Sequence, residues 1–123
     1  MKYLILIYGN PTTRAMWEGM SDAERELGYA WYASLTEDIA ASGEMIVSEA
    51  LADSSLSKRV TVREGRAMTT DGPFAEVKEL LAGFFLVDCA SVERAIEIAA
   101  RLPEAEYGLV EVRPVMELGS PEM

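Results

Sequence analysis

The stretch that decides the fold is the N-terminal one, which reads Met1-Lys2-Tyr3-Leu4-Ile5-Leu6-Ile7-Tyr8. Alternate residues of a strand point to opposite faces of a sheet, and here both alternating sets are apolar. The pattern predicts a central strand that is covered on both sides. The run is too short for a signal peptide with its cleavage site, and far too short to span a bilayer.

A second stretch, residues 80–89, has the same apolar character on both faces and predicts a second central strand. Two more strands are expected over residues 44–51 and 107–116. The residues around Glu64-Gly65 predict a small hairpin, because glycine tolerates the positive φ of a two-residue turn.

Two helices are expected. One begins at the capping box Ser21-Asp22-Ala23-Glu24, after a loop that carries Arg14 and Trp17, and ends at Gly43. The other begins at Ser91 and is stopped by Pro103. Their predicted apolar stripes are Leu27, Trp31, Leu35 and Ile39 in the first helix, and Val92, Ala95, Ile96, Ala99 and Leu102 in the second.

This order predicts an α+β domain with a ferredoxin-like βαββαβ antiparallel sheet, both helices on one face and an added small hairpin. A chain of 123 residues has room for one core. We therefore expect a single domain over residues 1–118, followed by a C-terminal tail over residues 119–123.

Two helices cover only one face of such a sheet and leave apolar side chains on the other. A patch of that size is unusual on a monomer, so we expect a homodimer in which two sheets pack face to face. The alternative is that the hairpin and the tail of the same chain cover the patch.

Composition excludes several function classes. With 21 acidic and 11 basic side chains the formal charge is −10, which disfavours direct binding to nucleic acid or to an anionic membrane. The sequence has no histidine, so mechanisms based on Ser-His-Asp or Cys-His and histidine-ligated metals are excluded. The single cysteine, Cys89, permits no intramolecular disulfide and fits a reducing cytoplasm. No phosphate-cradling glycine loop or metal-ligand spacing is present, so we expect no cofactor and no metal.

The segment Thr69-Thr70-Asp71-Gly72-Pro73-Phe74-Ala75-Glu76-Val77-Lys78-Glu79, followed by Gly83, carries a recognisable motif. It resembles the DGPF family of YCII-related proteins. The opening residues 1–4 and the closing residues 111–114 are also similar to that family, so the resemblance spans nearly the whole chain.

The resemblance implies a ferredoxin-like domain of the dimeric α/β-barrel superfamily. YCII-type relatives are thought to carry a His-Asp pair in a cleft, and some act on small aromatic or lactone-like substrates. This chain has no histidine to take that role. Similar members are often encoded beside sigma factors of the extracytoplasmic-function type, which implies a regulatory setting.

The candidate site lies at the Asp71-Gly72-Pro73-Phe74 corner. The predicted topology brings this corner close to the end of the first strand, and Asp71 or Glu76 would be a general base if burial raised its pKa. The expected ligand-binding residues are Tyr8, Arg14, Pro73, Phe74 and Lys78. The alternative interpretation is that the corner is simple turn chemistry and that Glu76 and Lys78 form a solvated surface pair.

The sequence therefore predicts a homodimer with a small-molecule cleft that is either catalytic or ligand-sensing, for a small polar or anionic ligand. The alternative function is a non-catalytic regulatory protein that acts with a sigma factor through its acidic surface.

Overall fold

The computed structural model describes residues 1–118, which form a four-stranded antiparallel sheet with helices and a separate hairpin. The strands are β1 (Lys2–Gly9), β2 (Met45–Ala50), β3 (Lys58–Arg63), β4 (Arg66–Asp71), β5 (Leu80–Asp88) and β6 (Val110–Pro114). The α-helices are α1 (Pro11–Glu18), α2 (Asp22–Ala41) and α3 (Val92–Ala100), and short 3-10 turns span Ser54–Leu56 and Pro103–Tyr107. The α+β class is confirmed.

The main sheet has the strand order β2-β5-β1-β6, so β1 and β5 are its two inner strands. Their pairing aligns Ile5 with Phe85 on one side, while Val112 of β6 aligns with Ile5 on the other. The prediction that these two strands are central is confirmed. The strands β3 and β4 pair only with each other and form the predicted hairpin around Glu64-Gly65.

The core lies between one face of the sheet and the helices α2 and α3. Ile5, Val87, Leu35 and Ile98 are essentially inaccessible to solvent there. On the opposite face of the inner strands the side chains are only half-buried, and they comprise Leu4, Leu6, Phe84 and Leu86. We call this surface the open face.

Helix α1 corrects the predicted loop around Arg14 and Trp17. The side-chain oxygen of Asn10 accepts a hydrogen bond from the backbone N–H of Thr13 at 2.8 Å. In return, the backbone N–H of Asn10 donates to the Thr13 hydroxyl at 3.0 Å. Pro11 occupies the first turn, where its missing N–H is not needed and its fixed φ favours the helix. The turn residues that end β1 therefore also start a helix.

Helix α2 begins and ends as predicted. The Ser21 hydroxyl accepts from the Glu24 amide at 3.1 Å, and Gly43, at φ 80°, follows the last turn. The Glu44 amide then donates to the Ile39 carbonyl at 3.2 Å, a contact that completes a Schellman motif.

The predicted apolar stripes were partly wrong. Leu27 is 72% exposed and Trp31 is also exposed, because the first half of α2 turns Gly28 and Tyr32 inward instead. In α3 the buried residues include Ile98, while Val92 and Ile96 face solvent.

The last strand was also predicted too long. It spans Val110–Pro114 because the preceding residues form the 3-10 turn, which ends at Gly108 with φ 68°. The predicted tail over residues 119–123 lies outside the described residues.

No helix within residues 1–118 is long and apolar enough to cross a membrane.

Candidate functional site

The end of β1 meets the start of β5 beside a cavity of about 720 Å³. Gly9 pairs with Leu80 in the sheet, and the Leu51 amide donates to the Ala82 carbonyl at 2.8 Å, so the end of β2 joins the same edge. Helix α1 forms another wall of the cavity. Four elements therefore converge at this end of the sheet, whereas the sequence predicted the cleft at the Asp71-Gly72-Pro73-Phe74 corner.

Three of the predicted ligand-binding residues line this cavity: Tyr8, Arg14 and Lys78. Pairing of Gly9 with Leu80 explains why Tyr8 and Lys78 come together, as the topology predicts. Arg14 reaches the cavity from α1 rather than from a loop. Trp17, on the next turn of α1, also lines the cavity and packs edge-on against the Tyr29 ring at 5.3 Å between centroids.

The two cations of the cavity are in different electrostatic states. Arg14 is paired with Glu18 at 3.2 Å and with Asp53 at 3.1 Å, so two carboxylates already neutralise it. Lys78 forms no ion pair with any other residue between 1 and 118. An anionic ligand can therefore pair with Lys78 without displacing a carboxylate, whereas at Arg14 it would compete with Glu18 and Asp53.

Asp53 fixes the loop on which it lies. Its carboxylate accepts from the Ser55 amide at 3.1 Å. Hydrogen bonding from the Ser55 side chain and then from this amide, together with the charge of Arg14, holds the pKa of Asp53 below its ordinary value. The ion pair between Asp53 and Arg14 also ties residues 51–54 to α1, so two walls of the cavity are connected.

Tyr8 presents a protonated phenol to the cavity. Its hydroxyl donates to a carboxylate oxygen of Glu111 at 3.1 Å. Removal from water, and then the negative charge and hydrogen bond of Glu111, raise the pKa of Tyr8 above its ordinary value. Tyr8 is therefore protonated at neutral pH and not a base, and its single hydroxyl proton is donated to Glu111.

Glu104 was not predicted as a site residue. This residue lies in the 3-10 turn Pro103–Tyr107, lines the cavity and is partly buried. The Tyr32 hydroxyl, from α2, donates to its carboxyl group. Burial raises the pKa of Glu104, because water no longer solvates the charged form well.

Little in the sequence separates Glu104 from its neighbour Glu106. Pro103 does mark the start of a turn, since proline is favoured in a first helical turn. The burial of Glu104 depends on how α2 passes over that turn, and no local pattern reports this.

The structure does not bring the Asp71-Gly72-Pro73-Phe74 corner to the cavity. Asp71 ends β4, is 80% exposed on its side chain and pairs with Lys58. The Gly72 amide donates to the Ser57 carbonyl at 2.8 Å. The corner therefore closes the base of the hairpin. This agrees with the alternative interpretation, in which the motif forms a structural turn and not a binding site.

The other residues of the corner are also outside the cavity. Pro73 is half-buried, whereas Phe74 and Glu76 are exposed. The Arg59 guanidinium lies over the Phe74 ring at 5.3 Å from its centroid. The burial that a general base at Asp71 or Glu76 would need is absent from both carboxylates, while burial is present at Glu104.

The single cysteine lies outside the candidate site. Cys89 follows β5, is buried, and donates through its thiol to the Ser91 carbonyl at 3.4 Å. It does not line the cavity.

Fold and site together define an α+β domain with an antiparallel sheet and a small-molecule-sized cavity at one sheet edge. The model of the YCII-related domain matches residues 1–119, and the chain belongs to that family. It is also similar to an uncharacterized protein of Rhizobium meliloti (strain 1021), with 31% identity over 117 residues that cover 94% of this chain and 92% of the relative.

Proposed function

We propose that the protein binds a small polar or anionic molecule in the cavity between α1 and the end of the sheet, as an enzyme or as a ligand sensor. The observation that carries this proposal is Glu104, a partly buried carboxyl group on the cavity wall with a raised pKa. Perturbed titratable groups in clefts are enriched at functional sites. The volume of about 720 Å³ lies within the usual range for small-molecule pockets.

The cavity offers complementary groups to one ligand. Lys78 supplies an uncompensated positive charge, and Tyr8 supplies an aromatic ring. Leu80 and Leu81 supply apolar surface. A small molecule with an apolar body and one anionic group matches this combination.

In a chain without histidine, Glu104 is a group that can donate or accept a proton in the cavity. A carboxyl group with a raised pKa donates a proton, or a hydrogen bond, closer to neutral pH than an ordinary one. In the enzyme form of the proposal Glu104 is the general acid or base. In the sensor form the same group donates a hydrogen bond to the ligand.

The experiment uses benzoate as probe and benzamide as its neutral counterpart. We expect benzoate to shift the amide resonances of Gly9, Leu81 and neighbouring cavity residues in two-dimensional NMR spectra, and benzamide to bind more weakly. Lys78→Met should weaken benzoate binding several-fold, because it removes the uncompensated charge.

Lys2→Met is the matched control, since Lys2 is exposed at the opposite end of β1. Equal binding of benzoate to both variants would contradict the role of Lys78. Resonance shifts confined to the open face would contradict the site.

The fold is proposed to be the ferredoxin-like type of the dimeric α/β-barrel superfamily, as a homodimer. The strand order β2-β5-β1-β6 and the two helices on one face support the ferredoxin-like arrangement. The half-buried open face supports a second chain packed on it. Sedimentation of a species at twice the 13.5 kDa chain mass tests the dimer, and a monomer at micromolar concentration would contradict it.

A sigma factor as partner, and a cytoplasmic location, stay predictions from the sequence. The net charge of −10 is the physical basis for the first. A titration with a sigma factor of the extracytoplasmic-function type, at low ionic strength, tests it directly, and the absence of binding there would contradict it.

A further inference from the structure

The charged side chains on the cavity wall oppose an anion unless one of them changes its charge. Three carboxylates and two cations line the cavity, namely Glu18, Asp53, Glu104, Arg14 and Lys78. With all five groups ionised the formal charge of the wall is −1, and a bound anion would make it −2. Like charges repel more strongly where water is partly excluded, and the whole chain already carries −10. Uptake of one proton together with the anion would keep the charge of the cavity at −1.

Glu104 is the carboxyl group best suited to take that proton. Arg14 pairs with Glu18 at 3.2 Å and with Asp53 at 3.1 Å, so protonation of either carboxylate would weaken an ion pair. Glu104 has no ion pair to lose among residues 1–118. It is also partly buried, and burial disfavours its charged form.

The surroundings of Glu104 supply no competing charge. The other titratable groups on its turn and on the elements packed against that turn are either exposed or already bonded elsewhere. They are Glu106 and Tyr107, which are exposed, Tyr8 of β1, which donates to Glu111, and Arg101 at the end of α3, which pairs with Asp38 at 2.6 Å. Within the described chain, the hydroxyl of Tyr32 is the side-chain group that bonds to the Glu104 carboxyl group.

Tyr32 determines how Glu104 presents a proton. Its ring is packed against the core from α2, and its hydroxyl donates to the Glu104 carboxyl group from outside the cavity lining. A tyrosine hydroxyl has one proton to donate. When Glu104 is protonated, Tyr32 therefore remains a donor to one carboxyl oxygen, and the proton on the other oxygen is free to bond to a ligand.

We propose that the cavity takes up its anionic ligand together with one proton from solvent, that Glu104 carries this proton, and that Tyr32 positions it toward the ligand. The inference rests on the proposed function and adds the regulation of the same site, since the affinity for the anion then depends on pH. Lys78 supplies the opposite charge and Glu104 supplies a hydrogen bond to the anion. Tyr32 acts through Glu104, so it is a positioning residue.

The test measures the binding of benzenesulfonate by calorimetry at a series of pH values above and below the pKa of Glu104. Benzenesulfonate stays an anion at all of them, so any proton taken up belongs to the protein. Comparison of buffers with different ionisation enthalpies counts that proton. Affinity should fall as the pH rises between the pKa of Glu104 in the free protein and its higher pKa in the complex. The fall should be up to about tenfold for each pH unit, which is the limit for one coupled proton.

Glu104→Gln identifies the group that takes the proton. Glutamine is uncharged at every pH and still donates a hydrogen bond. This variant should bind benzenesulfonate with an affinity that does not change with pH, and without proton uptake. Glu106→Gln is the matched control, because Glu106 is an exposed carboxylate of the same turn and does not line the cavity. It should keep the pH dependence of the wild type.

Tyr32→Phe tests the positioning role. A hydrogen bond to a carboxylate favours the charged form, so loss of the hydroxyl should move the titration of Glu104 to higher pH. The anion should also bind several-fold more weakly where Glu104 is protonated, because the proton is no longer directed toward it. Tyr29→Phe, on the same helix, should change neither property, since Tyr29 is 63% exposed and lies outside the cavity lining. An unchanged titration in Tyr32→Phe would contradict the role of Tyr32.

The wild-type chain supplies a readout that needs no variant. At a pH where Glu104 is ionised in the free protein, benzenesulfonate should move the carbon-13 carboxyl resonance of Glu104 to the value of the protonated form. Binding in the cavity with a pH-independent affinity and no proton uptake would overturn the inference and leave the proposed function standing. PH dependence that persists in Glu104→Gln would also overturn it. Cavity resonances that respond to neither benzoate nor benzenesulfonate would contradict the proposed function itself.

Discussion

Substitution of Gly83 by alanine should destabilise the domain, because β2 passes very close to it. A Cβ atom built on Gly83 lies 2.8 Å from the Glu49 carbonyl oxygen and 3.5 Å from the Ala50 Cα. Both atoms belong to backbone, so the neighbouring strand must move rather than a flexible side chain. Overpacking of this kind costs about 1–3 kcal/mol. Gly83 is also part of the motif noted in the sequence, and its role here is close strand packing.

The same substitution at Gly28 should have the opposite effect. Gly28 lies inside α2, and a Cβ there meets only the Trp17 ring at 3.6 Å, an ordinary contact distance. Alanine is favoured over glycine in a helix by about 1 kcal/mol. Gly28→Ala should therefore stabilise the protein by up to about 1 kcal/mol.

Urea-induced unfolding of both variants, followed by circular dichroism, measures the two changes in the free energy of unfolding. The expected result is a loss for Gly83→Ala and a gain for Gly28→Ala. If Gly83→Ala is as stable as the wild type, β2 does not lie this close to β5, and the edge of the cavity formed by residues 51–54 is misplaced.

Three further predictions concern single side chains. Arg94, bonded to Glu44 at 2.8 Å, holds the pKa of Glu44 below its ordinary value, so this stabilisation is present above about pH 4.5 and is lost as the pH falls through the folded-state pKa. Glu44→Gln should cost about 1 kcal/mol at neutral pH and less in acid, as measured by urea unfolding at several pH values. Asn10→Ala removes the cap of α1 and should cost about 1 kcal/mol in the same assay. The raised pKa of Glu104 means that the folded state binds its proton more tightly than the unfolded one, so the wild type should lose stability as the pH rises from the ordinary glutamate value through the raised one. Glu104→Gln should abolish that decline, and an unchanged pH profile would contradict the burial of this carboxyl group.

Much of the sheet could be predicted from the sequence, because its signals are local. The inner strands β1 and β5 are apolar on both faces, and the Glu64-Gly65 turn carries its own backbone preference. Helix α1 was predicted as a loop, although Pro11 is favoured in a first helical turn. Its cap also uses Thr13 in the place where a capping box usually has Glu or Gln.

The site was harder to predict, because it depends on how distant segments pass one another. Strand pairing was enough to bring Tyr8 and Lys78 together. The motif drew attention to Asp71, yet that carboxylate lies in solvent at the base of the hairpin of β3 and β4. Glu104 became a candidate only once the packing of Tyr32 over its turn was known.

The most direct test of the binding site is the carboxyl resonance of Glu104 in carbon-13 NMR, followed against pH with and without benzoate. Glu104 should titrate above the ordinary glutamate value, and its resonance should move when benzoate is added. A carboxyl group that titrates at the ordinary value and does not respond to benzoate would contradict the proposal that this cavity is the functional site.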